Sequence, residues 1–185
     1  MKSDMCTFRQ EETDMRDGFI RTAAATPKIK VADPVHNRET ICRIIEEYEK
    51  KGAELLVFPE LCLSGYTCND LFQQEILLEQ VKEELKNLVD FTKGRKMLLF
   101  AGLPWEHEGK LYNVAAAICD GELLGLVTKT NMPNYSEFYE LRHFTPGMEI
   151  PVLTDWLDTR VPMGTNLLFT CKENPKLTVA AEICE

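Results

Sequence analysis

Short apolar runs, each stopped by a breaker or a charge and separated by two long amphipathic stretches, constrain the fold of this chain more than any other feature. Residues 54–58 and 96–103 are almost wholly apolar, the pattern of strands buried on both faces of a sheet. Residues 18–26 read as a further strand, ended by Pro27. Between these runs, residues 36–51 are predicted to be helical. Ile41, Ile44, Ile45 and Tyr48 recur at helical spacing, Asn37 is placed to cap the start, and Gly52 stops the pattern after Lys50 and Lys51. A longer helix is predicted over residues 70–92, with Ile76, Leu77, Val81, Leu85, Leu88 and Val89 on its apolar face and Gly94 behind it. Strand–helix–strand order implies parallel pairing.

The next segment breaks that order. Residues 111–119 and 122–128 are strands joined by Asp120-Gly121, a two-residue hairpin signal, so the sheet is expected to be mixed. From residue 129 to 148 no regular pattern survives, because Asn131, Pro133, Asn134, Pro146 and Gly147 interrupt it. So long a stretch in a compact domain is usually functional or disordered, and its two aromatic clusters favour function. Strands resume at residues 166–171 and 177–183. The first fourteen residues are polar and without period, and Met15 is expected to be the natural start. Residues 1–17 are therefore expected to be a disordered or non-native extension, and residues 18–185 the folded part.

Composition narrows the class. With 44% hydrophobic and 28% charged residues among 185, the chain is globular rather than fibrous or disordered. A formal net charge of −9 disfavours a surface that tracks phosphates, so no nucleic-acid partner is expected. No apolar stretch approaches the roughly 20 residues of a spanning helix, and the N-terminus has no secretory apolar region. Seven cysteines, with no Cys-x-x-Cys pair and no histidine at zinc-ligand spacing, point to a reduced, cytoplasmic protein without a metal site.

Taken singly, the candidate functional residues are weak. Cys184 ends an apolar run, Glu60 follows Val57-Phe58-Pro59, and Lys129 opens the long loop. Taken together, three strands deliver an acid, an ammonium and a thiol at or beside their C-terminal ends, where open α/β sheets hold ligands. Acyl transfer needs a nucleophile, a carboxylate to take and return its proton, and a cation where the oxyanion develops. No histidine suits the base role: His36 begins a helix, His107 lies in a polar turn, and His143 sits in the loop. Ser64 lacks the first glycine of a nucleophile elbow, and no phosphate-binding Gly-x-x-x-x-Gly-Lys loop occurs.

Three segments carry a family resemblance: Val57-Phe58-Pro59-Glu60-Leu61, residues 129–140, and Ala181-Glu182-Ile183-Cys184-Glu185. They resemble the three signatures of the nitrilase, or carbon–nitrogen hydrolase, superfamily. Residues 21–34, 58–66 and 133–142 resemble one branch of it, the glutaminase domain of glutamine-dependent NAD synthetases. The resemblance implies an α-β-β-α sandwich of which this chain holds about the first two-thirds, incomplete after the nucleophile. It implies Cys184 as nucleophile, Glu60 as general base and Lys129 as oxyanion stabiliser, helped by the main-chain N–H after Cys184. Tyr135 matches a residue that contacts glutamine, Tyr66 and Phe138 match aromatic walls of that pocket, and Glu137 and Glu140 both remain candidates for a supporting carboxylate.

The implied partners are L-glutamine, a synthetase domain holding ATP and Mg that amidates nicotinic acid adenine dinucleotide to NAD, and further copies in a homo-oligomer. That domain's Ser-Gly-Gly-x-Asp loop is absent from these residues. Two other readings stand beside the glutaminase: a free-standing nitrilase-type amidase and a non-catalytic truncated fragment. On the sequence, the 185-residue chain is expected to hydrolyse glutamine poorly.

Overall fold

The computed structural model describes residues 5–8 and 19–184. Its strands are β1 (Met5–Phe8), β2 (Thr22–Ala24), β3 (Leu55–Val57), β4 (Leu98–His107), β5 (Lys110–Cys119), β6 (Glu122–Thr128), β7 (Val152–Trp156), β8 (Thr159–Gly164), β9 (Leu168–Cys171) and β10 (Thr178–Val179). Two α-helices, α1 (Pro34–Lys50) and α2 (Glu75–Phe91), connect β2 to β3 and β3 to β4. A seven-stranded sheet runs in the order β2-β3-β4-β5-β6-β8-β7, and a three-stranded sheet in the order β1-β9-β10. β2, β3 and β4 pair in parallel, β4, β5 and β6 antiparallel, and β6 with β8 in parallel again. The sheet is mixed, as the sequence implies, and β3, β4 and β6 point the same way.

Strict alternation along the central strands makes two cores. Leu99, Ala101, Leu103, Val114, Ala116 and Ile118 pack with Ile41 and Ile45 of α1 and Leu77, Val81, Leu85 and Leu88 of α2. Leu98, Phe100, Ala115, Ala117, Cys119 and Val127 turn the other way, against Leu167, Phe169, Cys171 and Ile183. The described residues thus form helices, large sheet and small sheet in layers. Among them, no helix is long and apolar enough to cross a membrane.

Several boundaries differ from the sequence reading. Asp33, not Asn37, caps α1: its carboxylate accepts from the His36 N–H at 3.0 Å, with Pro34 beginning the helix. Asn37 is fully buried and ties down two loops instead, accepting from Lys30 N and donating to Lys30 O and Leu63 O. Helix α2 starts at Glu75, after a 3-10 segment, Tyr66–Gln73, kinked at Asn69 with φ +48°. Ile76, expected on the apolar face, is 74% exposed. The β7–β8 hairpin was not legible, and the strand expected at 177–183 shrinks to Thr178–Val179. Within the stretch expected to be an extension, Met5–Phe8 forms β1, whose parallel ladder with β9 gives the backbone of both strands partners. The other residues of 1–17 lie outside the described ones.

Candidate active site

Glu60 follows β3 and Lys129 follows β6, three strand places apart, or about 14 Å at the usual spacing. Their side chains nevertheless meet, with Lys129 Nζ 2.7 Å from Glu60 Oε1. The loop after β3 closes the gap by lying flat across β4. It can do so because Gly102 has no side chain: a Cβ there would stand 2.3 Å from Leu61 N and 2.6 Å from Pro59 O. Leu63 N donates to Gly102 O at 3.1 Å, fixing the crossing. Leu61 takes φ +51° in the turn after Glu60, a left-handed conformation uncommon for a side chain of that size.

The long loop returns to the same place. Glu140 opens a short 3-10 turn, Glu140–Arg142, and is 5% exposed. Its carboxylate accepts from Lys129 Nζ at 2.9 Å on Oε1, and Oε2 lies 2.7 Å from the same nitrogen. Tyr66 donates to Glu140 Oε1 at 2.5 Å. The loop is anchored by Gly147 N to Lys129 O (2.7 Å), by Phe144 against Phe72 (ring centroids 5.0 Å apart), and by a two-pronged Arg142–Asp70 pair.

Lys129 is therefore an ammonium, 1% exposed, between two carboxylates. Burial alone would lower its pKa, but the bonds to Glu140 and Glu60 outweigh that and hold it above the ordinary lysine value. Burial, the bond to Glu140 and the nearby charges of Glu140 and Glu60 push the Tyr66 hydroxyl well above the tyrosine range, so it stays a donor. Cys184 is exposed, has φ +53°, and lines a groove of about 680 Å³ with Thr128, Thr130, Asn131, Thr165 and Asn166.

The structure thus brings Glu60, Lys129, Glu140 and Tyr66 into one bonded cluster. Of the two carboxylates left open by spacing, Glu140 joins Lys129, and Glu137 is exposed. Phe138 packs edge-on against both Tyr66 (6.5 Å) and Tyr135 (5.7 Å), with Tyr135 69% exposed. The histidines stand elsewhere: His107 is paired with Thr154 Oγ1 at 3.1 Å, and His143 packs on Phe72. Among the described residues no cluster of three His, Cys, Asp or Glu is placed to hold a metal. Sequence reading missed Gly102 and Asn113. Asn113 Nδ2 donates to Glu60 Oε1, and its one outward signal is being the sole amide side chain within residues 111–119.

The layered fold and the carboxylate-clamped lysine at the strand ends agree with the carbon–nitrogen hydrolase resemblance carried by the sequence. The family model of that description matches residues 21–185, and the chain belongs to this family. Similar relatives narrow the kinship. A glutamine-dependent NAD(+) synthetase from Mycobacterium leprae is 35% identical over 168 residues, covering 91% of this chain and 25% of that protein. One from Aquifex aeolicus is 39% identical over 131 residues, covering 71% of this chain and 23% of that protein. The chain spans about a quarter of the length of these curated relatives. Among solved structures, a glutamine-dependent NAD(+) synthetase from Cytophaga hutchinsonii superposes with a TM-score of 0.78 at 28% identity, over 83% of this chain and 26% of that one. An amidase from Nesterenkonia sp. shares the fold, with a TM-score of 0.60 at 23% identity over 77% of this chain and 54% of that one.

Proposed function

We propose that this chain carries the glutaminase chemistry of a glutamine-dependent NAD synthetase, with Cys184 as nucleophile, Glu60 as general base and Lys129 as oxyanion stabiliser. The observation that carries the reading is the buried Lys129 ammonium held charged between Glu60 and Glu140 at the strand ends. A permanent cation there suits a developing oxyanion, and a carboxylate 2.7 Å from it suits proton transfer.

In the proposed cycle the Cys184 thiol gives its proton to Glu60 as sulfur attacks the side-chain amide carbon of L-glutamine. The C=O electron pair moves to oxygen, beside Lys129. Collapse of the tetrahedral species breaks the C–N bond, and Glu60 returns its proton to the departing nitrogen as ammonia. Water, deprotonated by Glu60, then attacks the thioester, releasing glutamate and restoring the thiol. Tyr66, Tyr135 and Phe138 wall the amide pocket, and Glu140 keeps Lys129 charged and aimed. In the complete protein the ammonia is consumed by a synthetase domain using ATP and Mg to make NAD. A cytoplasmic, homo-oligomeric enzyme is part of this reading.

The test is ammonia release from glutamine set beside short aliphatic amides, with Cys184→Ala as control. Cys184-dependent release that prefers glutamine supports the proposal. Preference for the aliphatic amides would shift the reading to a free-standing amidase, and release surviving Cys184→Ala would overturn it.

A further inference from the structure

Asn113 is fully buried in β5, one of the two strands that lie between those that deliver Glu60 and Lys129 to the site edge. Register sets it opposite Pro104 of β4, and its carbonyl accepts from Lys129 N at 2.9 Å. It shares strand parity with Ala115, Ala117 and Cys119, which face the small sheet. Gly102 and Lys129 share parity with Phe100 and Val127, which face the same way. The Glu60 loop lies over that face, and the Asn113 amide meets Glu60 Oε1 there.

Two details separate this amide from an ordinary structural one. First, Asn113 Oδ1 is buried with no hydrogen-bond partner among the described residues. A buried acceptor without a partner costs stability, and an apolar side chain of similar size would avoid that cost. The arrangement is thus poor for stability while keeping a donor on Glu60. The orientation is also fixed, because a flipped amide would set oxygen against the carboxylate. Second, Glu60 Oε1 takes both donors, Asn113 Nδ2 and Lys129 Nζ, whereas Oε2 accepts no hydrogen bond from the described residues.

We propose that Asn113 is a positioning residue that pins Glu60 through Oε1 and leaves Oε2 as the oxygen that accepts the Cys184 proton. This rests on the assignment of Glu60 as general base. Lys129 cannot do the pinning alone. Its protons are shared with Glu140, and one must re-aim when an oxyanion forms beside it. The neutral amide has no second task and keeps the carboxylate in place throughout the cycle. A carboxylate free to swing by an ångström would lose much of its effect as a base.

A double-mutant cycle on the Cys184 alkylation rate with iodoacetamide tests this without requiring turnover. Asn113→Leu removes the donor at similar volume, and Asn113→Ala serves if the leucine variant unfolds; melting temperature is followed in every case. The expected result is about a tenfold slower Cys184 alkylation in the Asn113 variant, and less than a twofold further change when Glu60→Gln is already present. Where amide turnover is measurable, kcat falls while KM stays within about twofold. Equal slowing in both backgrounds would mean a merely structural role and overturn the inference. An unchanged Asn113 variant beside a slowed Glu60→Gln would also overturn it, leaving the base assignment intact. If Glu60→Gln itself leaves the rate unchanged, the base assignment fails and the positioning role falls with it.

Discussion

Replacing Gly102 with alanine adds one methyl group at the place where the Glu60 loop crosses β4. That Cβ would lie 2.3 Å from Leu61 N, 2.6 Å from Pro59 O and 2.8 Å from the Glu60 carbonyl carbon. Ordinary contact needs about 3.5 Å, so either the loop or β4 must move by roughly 1 Å. All three obstructing atoms are backbone, and no side-chain rotation relieves them. The loop is also held from beneath by Leu61 and Leu63, both fully buried. Overpacking of this kind costs about 1–3 kcal/mol. Because the displaced atoms belong to Glu60 and its neighbours, the 2.7 Å contact with Lys129 stretches as well. If Glu60 is the base proposed above, a misplacement of about 1 Å lowers rates on the order of 100-fold. Denaturant unfolding should show the stability loss, and amide hydrolysis or Cys184 alkylation the larger functional one. Gly125→Ala is the milder comparison, since its Cβ would meet the rotatable Leu167 Cδ1 at 3.1 Å and Pro162 O at 3.2 Å, with nothing nearer than 3.0 Å. A Gly102→Ala protein with native stability and site reactivity within twofold of wild type would refute the crossing-loop account.

Lys129→Met leaves Glu60 and Glu140 facing each other without their cation and should cost about 3 kcal/mol in urea unfolding. Lys129 is held above the ordinary lysine value, so its stabilisation is complete below about pH 10.4 and fades as pH rises through the folded value. Unfolding free energy measured from pH 8 upward should thus fall more steeply in the wild type than in Lys129→Met. Limiting iodoacetamide should label exposed Cys184 well before Cys62, whose burial pushes its thiol up to about 12; peptide mapping that found Cys62 first would contradict this. Asn37→Ala removes three hydrogen bonds that join residues 30 and 63 to α1, and should lower thermal and urea stability by roughly 2–4 kcal/mol.

The hairpins show what the sequence makes legible and what it hides. All three turns within the large sheet contain a left-handed residue: Glu108 at φ +50°, Asp120 at +50° and Leu157 at +50°. Only Asp120, followed by Gly121, is of a type that advertises such a turn. A glutamate and a leucine do not, so the β4–β5 connection read only as a polar turn about His107 and the β7–β8 hairpin went unread. The strand expected over residues 96–103 in fact continues to His107, with Pro104 opposite Asn113. At the site, the family signatures and the strand-end positions singled out Glu60, Lys129 and Cys184. The preference for Glu140 over Glu137 was not legible, because it depends on where a loop of about twenty residues refolds onto Lys129. Asn113 and Gly102 were hidden for a different reason. Each sits in an apolar strand, and its role comes from a loop that crosses above it.

That crossing also sets the order in which the site can be assembled. β4, β5 and β6 are sequential neighbours, so their antiparallel pairing closes only short loops. β3 joins β4 in parallel through the α2 connection, and the Glu60–Lys129 bond closes 69 residues of chain. During refolding the meander can form before β3 docks, and until it docks Lys129 has no Glu60 to meet. Secondary structure followed by circular dichroism should accordingly recover ahead of native Cys184 reactivity, with the lag set by β3 docking. The Glu60–Lys129–Glu140 cluster is then a late product of folding, and a chain caught midway carries a formed sheet without it.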